Sequence, residues 1–452
     1  METALMALPD DALADALRRL PARSLAAARC VCKAWRGIVD DRGLLLPHLL
    51  PHSVHGIFIN YIDHDRPHLF ARPSPAASPE IDSMLSFLPN DESRDWWSVM
   101  DHCDGLLLCD IDRESQLCVC NPATRRWTPL LPERLDGYAG AAHLMFDPAV
   151  SPHYEVILIP DVPKKPSRPY GWKAKKKKRQ HKIDGPFCLQ WLFSSPGHVL
   201  PCVDEDEDDD KEPDDPYRLM EWPPSPWQLD VFSSRTGQWE VKSFIREGEP
   251  VGTVEDLRRG CAVYQNGTLY VHCGGSFIMR NAKPYLGRLE KEVCFGIVHE
   301  GQLQVWILKE SHEKIEWLLR YQDDLRSYAS YVSSLYSNLT SMVGHWVVKE
   351  QESSEWNSDD DDIISVSVGS EENYGRESFY IIGFHPYKEV VFLAKPFGVV
   401  AYHMSKSKAQ YLGNARPKCY YRNHSNGIYE SFVYTPCMIG ELQEDNTNTS
   451  TS

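Results

Sequence analysis

Apolar residues near the start of the chain recur at the spacing of a helix. Leu13, Leu17 and Leu20 are separated by four and then three residues, which places them on one helix face. Pro9 suits the first position of this helix, and Pro21 ends it. The pattern predicts a short helix with one apolar face immediately after residue 9.

Two further short helices are predicted before residue 45. Ser24 is a candidate N-cap of the second helix, which carries Leu25. Val31, Cys32 and Trp35 give the third helix an apolar face. About forty residues rarely fold alone without further support. We therefore expect the exposed apolar surface to bind a partner, and the alternative is a helical hairpin packed on the rest of the chain.

From about residue 50 to 440 the helical spacing is replaced by short apolar or alternating runs. Runs at 106–109, 155–159 and 389–393 are typical, and turn residues such as Asn121-Pro122 and Asn266-Gly267 separate them. Short runs of this kind between turn signals are typical of antiparallel strands. The second part of the chain is therefore predicted to be mainly β.

Two segments of this region look like degenerate repeats. Residues 117–127 and 229–239 each contain a strand, a threonine three positions before Trp127 or Trp239, and a second short strand. A tryptophan just after the turn is typical of propeller blades, where the ring packs between neighbours. At about 40–50 residues per blade, the region after residue 85 holds about six to eight blades. A pair of β-sandwiches is the alternative architecture.

Several fixed motifs give the N-terminal segment a family resemblance. It resembles an F-box, on the residues Leu8-Pro9, Leu20-Pro21, Ser24-Leu25, Val31-Cys32-Lys33 and Trp35-Arg36. The order of this segment and later motifs also resembles the large plant family of F-box proteins with an F-box-associated or kelch-like propeller. The later motifs that carry this resemblance are at 104–108, 121–127 and 146–148.

The resemblance implies a substrate-recognition adaptor of an SCF-type (Skp1-cullin-F-box) ubiquitin ligase. Such an adaptor binds a Skp1-like protein, and through it the cullin and RING subunits, while its β domain binds an unidentified protein substrate. The resemblance implies neither catalysis nor a cofactor in this chain. A non-ligase propeller scaffold and, less favoured, a propeller-type enzyme are the alternatives. The residues expected at or beside the Skp1 contact are Leu8, Pro9, Leu13, Leu17, Leu20, Pro21, Leu25, Val31, Cys32 and Trp35.

These patterns predict four consecutive parts of the chain. They are an F-box domain at 1–48, a linker with the first strand at 49–85, the propeller at 86–440, and a disordered tail at 441–452. Within the propeller we predict an insertion at about 161–227, a helix at about 315–340 and an acidic loop at about 350–375. The helix is predicted because Leu318, Tyr321 and Leu325 are three and four residues apart. It either packs on the propeller or forms a coiled coil with a partner.

The predicted insertion contains a basic run followed by an acidic one. A solvated loop is the simplest interpretation, and a nuclear-localisation signal is the alternative. The acidic run lies at 204–210, close enough in sequence to pair with the basic residues. The residues of the candidate signal are Lys173, Lys175, Lys176, Lys177, Lys178 and Arg179.

Composition limits the compartment and the partners. The net charge of −16 argues against a general nucleic-acid binder, and no stretch approaches eighteen uninterrupted apolar residues, so neither nucleic acid nor membrane is expected as a partner. The N-terminal residues lack the features of a secretory signal. Thirteen scattered cysteines in apolar contexts are typical of reduced thiols. We therefore expect a cytoplasmic or nuclear protein.

No familiar catalytic or metal-binding motif is present in the sequence. The pairs Cys30-x-Cys32 and Cys118-x-Cys120 have the wrong spacing for a zinc knuckle. His48, His52 and His55 cluster without carboxylate or thiolate companions. A structural role is favoured for them, and neither a catalytic nor a metal site is predicted.

Overall fold

A computed structural model gives the fold of the chain. No helix in the part it describes is long and apolar enough to cross a membrane. The described residues are 9–20, 22–45, 49–50, 53–71, 81–88, 97–111, 117–130, 140–160, 221–250, 252–253, 262–271, 284–290, 292–311, 314–329, 332, 347–348, 379–420 and 427–438.

Three short helices come first, as predicted: α1 (Asp10–Arg18), α2 (Ala22–Arg29) and α3 (Lys33–Asp41). Asp10 and Asp11 complement the positive N-terminus of α1. Because α2 already begins at Ala22, Ser24 lies inside its first turn and the predicted N-cap role is wrong. Cys32 is the N-cap of α3, and its sulfur accepts a hydrogen bond from the Trp35 backbone N–H at 3.5 Å.

All later regular structure in the described residues is strand, apart from a 3-10 turn at Met404–Lys406, a helical turn at 326–329 and single helical residues at Leu49 and Val332. The strands are β1 (Gly56–Tyr61), β2 (His68–Ala71), β3 (Ser98–Cys103), β4 (Leu106–Asp110), β5 (Leu117–Asn121), β6 (Arg126–Leu130), β7 (Gly140–Met145), β8 (Glu155–Pro160), β9 (Glu221–Trp222), β10 (Trp227–Ser233), β11 (Gln238–Phe244), β12 (Gly252–Thr253), β13 (Ala262–Gln265), β14 (Thr268–Val271), β15 (Tyr285–Leu289), β16 (Glu292–His299), β17 (Gln302–Ser311), β18 (Lys314–Asp324), β19 (Val347–Val348), β20 (Tyr380–Phe384), β21 (Val390–Lys395), β22 (Gly398–His403), β23 (Lys408–Asn414) and β24 (Ile428–Tyr434).

The strands form a ring of antiparallel sheets, which confirms the predicted propeller. Blade 1 (β3–β6), blade 2 (β7, β8, β10, β11), blade 3 (β15–β18) and blade 4 (β20–β23) each have four strands. The closing blade joins the N-terminal strands β1 and β2 to β19 and the C-terminal strand β24. Innermost strands contact each other around the ring, and the two-stranded sheet β13–β14 lies between blades 2 and 3. The described residues therefore form five four-stranded blades, one fewer than the lowest predicted number, and the short sheet β13–β14 takes a sixth place in the ring.

Both predicted repeats are hairpins on the outer side of a blade. Trp127 pairs across the hairpin with Cys120, and Trp239 pairs with Phe232. The ring of Trp127 packs against the cluster shared by blade 1 and the closing blade, and that of Trp239 packs against the cluster shared by blades 2 and 1. Each tryptophan therefore fills the interface with the preceding blade, as the repeat pattern predicted.

The helix predicted at about 315–340 is wrong over its first half. Residues Lys314–Asp324 form the outer strand β18, which pairs with β17 along its length. Ile315, Trp317, Leu319 and Tyr321 alternate at the period of a strand, and pairing with the strongly β-forming β17 outweighs the helical spacing. Only the turn at 326–329 is helical in the described part of the rest of that segment, besides Val332.

Several other predicted segments lie largely outside the described residues. These are the basic run and most of the insertion at 161–227, the acidic loop at 350–375 and the tail at 441–452. The last residues of the predicted insertion are described, and Glu221–Trp222 forms the short strand β9, paired with β12. The regular structure of the chain therefore resumes before residue 227.

Candidate functional site

The three helices enclose a small apolar core of their own. Its buried residues are Ala14, Leu17, Leu25, Ala28, Ile38, Val39 and Leu44. The guanidinium of Arg29 on α2 donates two hydrogen bonds to the carboxylate of Asp40 on α3, at 2.6 and 3.0 Å. The hydrogen bond from Arg29 lowers the pKa of the Asp40 carboxyl. The helical segment is therefore better packed than the sequence predicted.

This core changes the role of two predicted contact residues. Leu25 has no exposed surface and Leu17 has 2%, so neither can touch a partner in this conformation. They were expected at the contact because the helical pattern identifies apolar positions without showing which neighbour covers them. Their side chains stabilise the helices instead.

Other predicted contact residues remain accessible. Val31 is 65% exposed at the turn between α2 and α3, and Pro9 and Cys32 are also exposed. Trp35 packs partly on the core and leaves part of its ring accessible. Leu13 and Leu20 are half-buried in the same way. Leu8 and Pro21 lie outside the described residues. We define Pro9, Val31, Cys32 and Trp35 as the helical surface.

A second candidate site lies at one mouth of the central channel of the propeller. It is a cavity of about 200 Å³. Its lining residues lie at or beside the turn that follows the first strand in five of the six sheets of the ring. Its lining residues are Asp104, Phe146, Asp147, Tyr264, Gln265, Asn266, Arg288, Glu290, Pro386 and Tyr387.

An ion pair crosses the floor of this cavity. Arg288 donates two hydrogen bonds to the carboxylate of Asp104, at 2.9 and 2.6 Å. Burial alone would lower the pKa of Arg288, but the charge and hydrogen bonds of Asp104 outweigh it and raise the pKa. Burial also raises the pKa of Tyr387. With Arg288 neutralised by Asp104, the carboxylates of Asp147 and Glu290 leave the cavity acidic.

The linker from the helices reaches the propeller at the same end. The Leu49 carbonyl accepts a hydrogen bond from the Met438 backbone N–H at 2.8 Å, and Leu50 packs on the cluster that contains Cys103 and Cys437. Cys437 in turn lies against Gly105, the residue after the cavity residue Asp104. The helical segment is therefore joined to the propeller on the side that carries the cavity.

Comparison with known families decides what the helices are. Residues 5–46 match the F-box domain family. The N-terminal domain is an F-box. Its three helices account for the described part of the matched range, and the helical surface belongs to this domain.

Proteins from Arabidopsis thaliana are similar to parts of the chain. One F-box protein is 29% identical over 126 residues, which are 27% of this chain and 31% of the relative. The putative F-box only protein 15 is 31% identical over 29% of this chain and 34% of its own length. A putative F-box/kelch-repeat protein is 31% identical over 26% of this chain and 31% of the relative. The chain spans about a third to a half of the length of these and other curated relatives it matches. No solved structure matches the chain.

The cavity residues were missed at the sequence level. Asn266-Gly267 was predicted as a turn, and Asp104-Gly105 opens one of the family motifs. Nothing in a single sequence showed that these two segments meet around one axis. Arg288 and Asp104 are 184 residues apart. Only closure of the ring places them in contact.

Proposed function

We propose that this protein is a substrate-recognition adaptor of an SCF-type ubiquitin ligase. The observation that supports this proposal is an F-box with its own core, which a short linker joins to a β-propeller. The propeller has a cavity at the end that the linker reaches. A Skp1-like protein would bind the F-box, and the cullin and RING subunits would assemble through it. The propeller would hold the target protein.

The helical surface is the part of the F-box that we assign to Skp1. Val31 is an exposed apolar side chain, and burying it would contribute roughly 1–2 kcal/mol to binding. Trp35 is anchored on the F-box core, so its accessible part is already ordered before a partner arrives. Tryptophan is also among the residues where interface energy concentrates. Pro9 and Cys32 extend this surface.

We assign target binding to the cavity of the propeller. Its carboxylates Asp147 and Glu290 favour a cationic side chain, and the rings of Phe146, Tyr264 and Tyr387 line the walls. Aromatic faces attract cations when both are partly desolvated. A lysine or arginine from an extended segment of the target fits this chemistry and a volume of about 200 Å³.

Catalysis is not required of this chain in such a complex. The ubiquitin thioester is carried by the E2 enzyme, and an adaptor raises its effective concentration near the bound target. The F-box linker reaches the propeller near the cavity, which suits this role. We further propose residence in the cytoplasm or nucleus, where thiols such as the described cysteines stay reduced.

Co-purification of the full chain with Skp1 and cullin tests the ligase assignment. We expect Val31→Asp to reduce Skp1 recovery at least tenfold, because a charge would be buried at the contact. Asp40→Ala, on the same domain, is the control and should retain Skp1, since its exposed ion pair contributes little. Equal recovery with both variants would contradict the assignment and favour a non-ligase scaffold.

Peptide arrays test the cavity separately. The full chain is probed with random peptides, and we expect the bound ones to be enriched in lysine or arginine. The double variant Asp147→Asn with Glu290→Gln should lose this enrichment. Glu240→Gln, an exposed carboxylate on β11 outside the cavity lining, should keep it. Unchanged enrichment in the double variant would exclude the cavity as the binding site.

A further inference from the structure

Three potential metal ligands meet at the far end of the closing blade. His64 lies in the turn after β1, His68 begins β2, and Cys419 lies in the segment after β23. The Nε2 atoms of the two histidines are 2.9 Å apart, and the Cys419 sulfur lies 3.8 Å from each of them. All three donor atoms therefore surround one point.

This cluster is separate from the cavity. β1 runs from Gly56, which pairs with Tyr434, to Tyr61, which pairs with Ile428. The F-box linker and the cavity lie at the Gly56 end, and the cluster follows Tyr61. A strand of this length spans roughly 17 Å, so the two sites are on opposite faces of the propeller.

The separations fit a tetrahedral ion. Zinc binds imidazole nitrogen at about 2.0–2.1 Å and thiolate sulfur at about 2.3 Å. Tetrahedral angles then place the two nitrogens roughly 3.3 Å apart, and each nitrogen roughly 3.6 Å from the sulfur. The observed distances differ from these values by about 0.4 Å or less. Two imidazoles and one thiolate are donors that suit zinc, whereas magnesium and calcium require oxygen ligands.

Two tyrosines hold the imidazole rings in place. Tyr61 lies edge-on to His64, with ring centroids 5.9 Å apart, and Tyr420 approaches His64 in the same way at 5.5 Å. The Tyr61 hydroxyl donates to the Ala415 carbonyl, and the Tyr420 hydroxyl donates to the Ile62 carbonyl. His68 is only 3% exposed. The donors are therefore ordered before any ion binds, which lowers the entropy lost on binding.

We propose that His64, His68 and Cys419 form a zinc site that fastens the closing blade, with the fourth position open to water or an external ligand. Two ligands come from the N-terminal strand pair, and the third comes from the segment before β24. His68 and Cys419 are 351 residues apart in sequence. A bound ion therefore joins the two ends of the ring and restricts the unfolded chain.

The competing account is a hydrogen-bonded cluster. One imidazole Nε2–H would donate to the other Nε2, and the thiol would contact both. A bound ion would place the proton of His68 on Nδ1, which has no hydrogen-bond partner among the described residues. A hydrogen-bond acceptor for the second ring nitrogen of a metal-bound histidine typically raises metal affinity 10–100-fold. We therefore expect weaker zinc binding than at sites with complete outer shells, and the titration must cover a wide range of free zinc.

Metal titration of the full chain distinguishes these accounts. The metal-free protein is titrated with Zn²⁺ against a chromophoric chelator, and separately with Co²⁺, whose spectrum reports thiolate ligation. His64→Gln and Cys419→Ser should each lose one equivalent of zinc and one thiolate-to-cobalt band. The double variant Cys30→Ser with Cys32→Ser removes the other exposed cysteines among the described residues and should keep both signals.

Thermal unfolding separates loss of the site from loss of the fold. Circular dichroism of the metal-free His64→Gln variant should match that of the wild type, because His64 is only half-buried. Zinc should raise the unfolding temperature of the wild type and leave that of His64→Gln unchanged. Equal zinc stoichiometry in the wild type and Cys419→Ser, or no thiolate band in the wild type, would overturn the proposal.

Discussion

Arg288 and Asp104 form an ion pair across the central channel of the propeller. Arg288 belongs to β15 of blade 3, and Asp104 lies in the turn between β3 and β4 of blade 1. These two blades stand on opposite sides of the ring of six sheets. Both side chains are less than one-fifth exposed, with 19% for Arg288 and 18% for Asp104. The pair therefore ties distant parts of the ring together and closes the floor of the cavity.

We expect Asp104→Asn to destabilise the protein by about 2–4 kcal/mol, because it leaves the guanidinium of Arg288 poorly compensated. Asparagine also tolerates the positive φ of 42° at this position, so the backbone contribution stays small. Urea unfolding measures the effect. The double variant Asp104→Asn with Arg288→Met should lose less than the sum of the single variants, and additive losses would show that the two residues are not coupled.

Two turn glycines provide a matched pair of substitutions. Both have positive φ, 90° at Gly105 and 67° at Gly237. A Cβ at Gly105 would lie 2.5 Å from the Cys437 Cβ and 2.6 Å from its backbone nitrogen, whereas a Cβ at Gly237 would meet nothing within 4 Å. We expect Gly237→Ala to cost about 1–2 kcal/mol from backbone strain alone. Gly105→Ala should cost clearly more in the same unfolding assay, and equal losses would contradict the packing seen beside the cavity.

Acid should loosen the wall of the cavity through His385. Its Nδ1 accepts a hydrogen bond from the backbone N–H of the cavity residue Tyr387 at 3.1 Å. Burial, with a smaller effect of Lys388, lowers the pKa of His385 from 6.5 to about 4. The pKa of His385 is therefore higher in the unfolded chain than in the folded one, so the unfolded chain is protonated at a higher pH. The contribution of this group to the free energy of unfolding is complete above pH 6.5 and falls as the pH drops towards 4. The loss from this group is at most about 3 kcal/mol.

The variant His385→Asn isolates this effect. Its side-chain oxygen can accept the same backbone hydrogen bond, but it does not titrate. Urea unfolding at pH 7 and pH 4.5 should show a smaller acid-induced loss in the variant than in the wild type. The buried His68 and His102 also have lowered pKa values and act as a common background in both proteins. Identical losses would exclude His385 as a contributor.

The F-box offers a test that separates core from surface. Leu25→Ala should destabilise the domain by about 2–5 kcal/mol, because its side chain is fully buried. Val31→Ala should leave stability within about 0.5 kcal/mol, because this residue is mostly exposed. Both variants should bind Skp1 less well. Hydrogen exchange of α1 and α3 measures the first effect, and it should increase only in Leu25→Ala.

The sequence predicted most where the interactions are local. The three helices followed from leucine spacing and prolines. The hairpins containing Trp127 and Trp239 followed from strands separated by short turns. The prediction was wrong at Lys314–Asp324, because two periodicities coexist there and only pairing with β17 selects the strand. The predicted number of six to eight blades was too high, because the described part of the ring has five four-stranded blades and the short sheet β13–β14 has only half the usual strands.

By itself, the sequence determined three N-terminal helices and a β-rich body, because short-range patterns encode individual helices and hairpins, and its motifs gave the helices their resemblance to an F-box. Tertiary structure alone decided that Leu17 and Leu25 are core residues while Val31 remains exposed. It also decided that Asp104 meets Arg288, and that Cys419 meets His64 and His68. Each of these contacts joins residues from separate elements, and most of them depend on ring closure. The pattern of residues along the sequence does not show which distant side chains come within a few ångströms of each other when the ring closes.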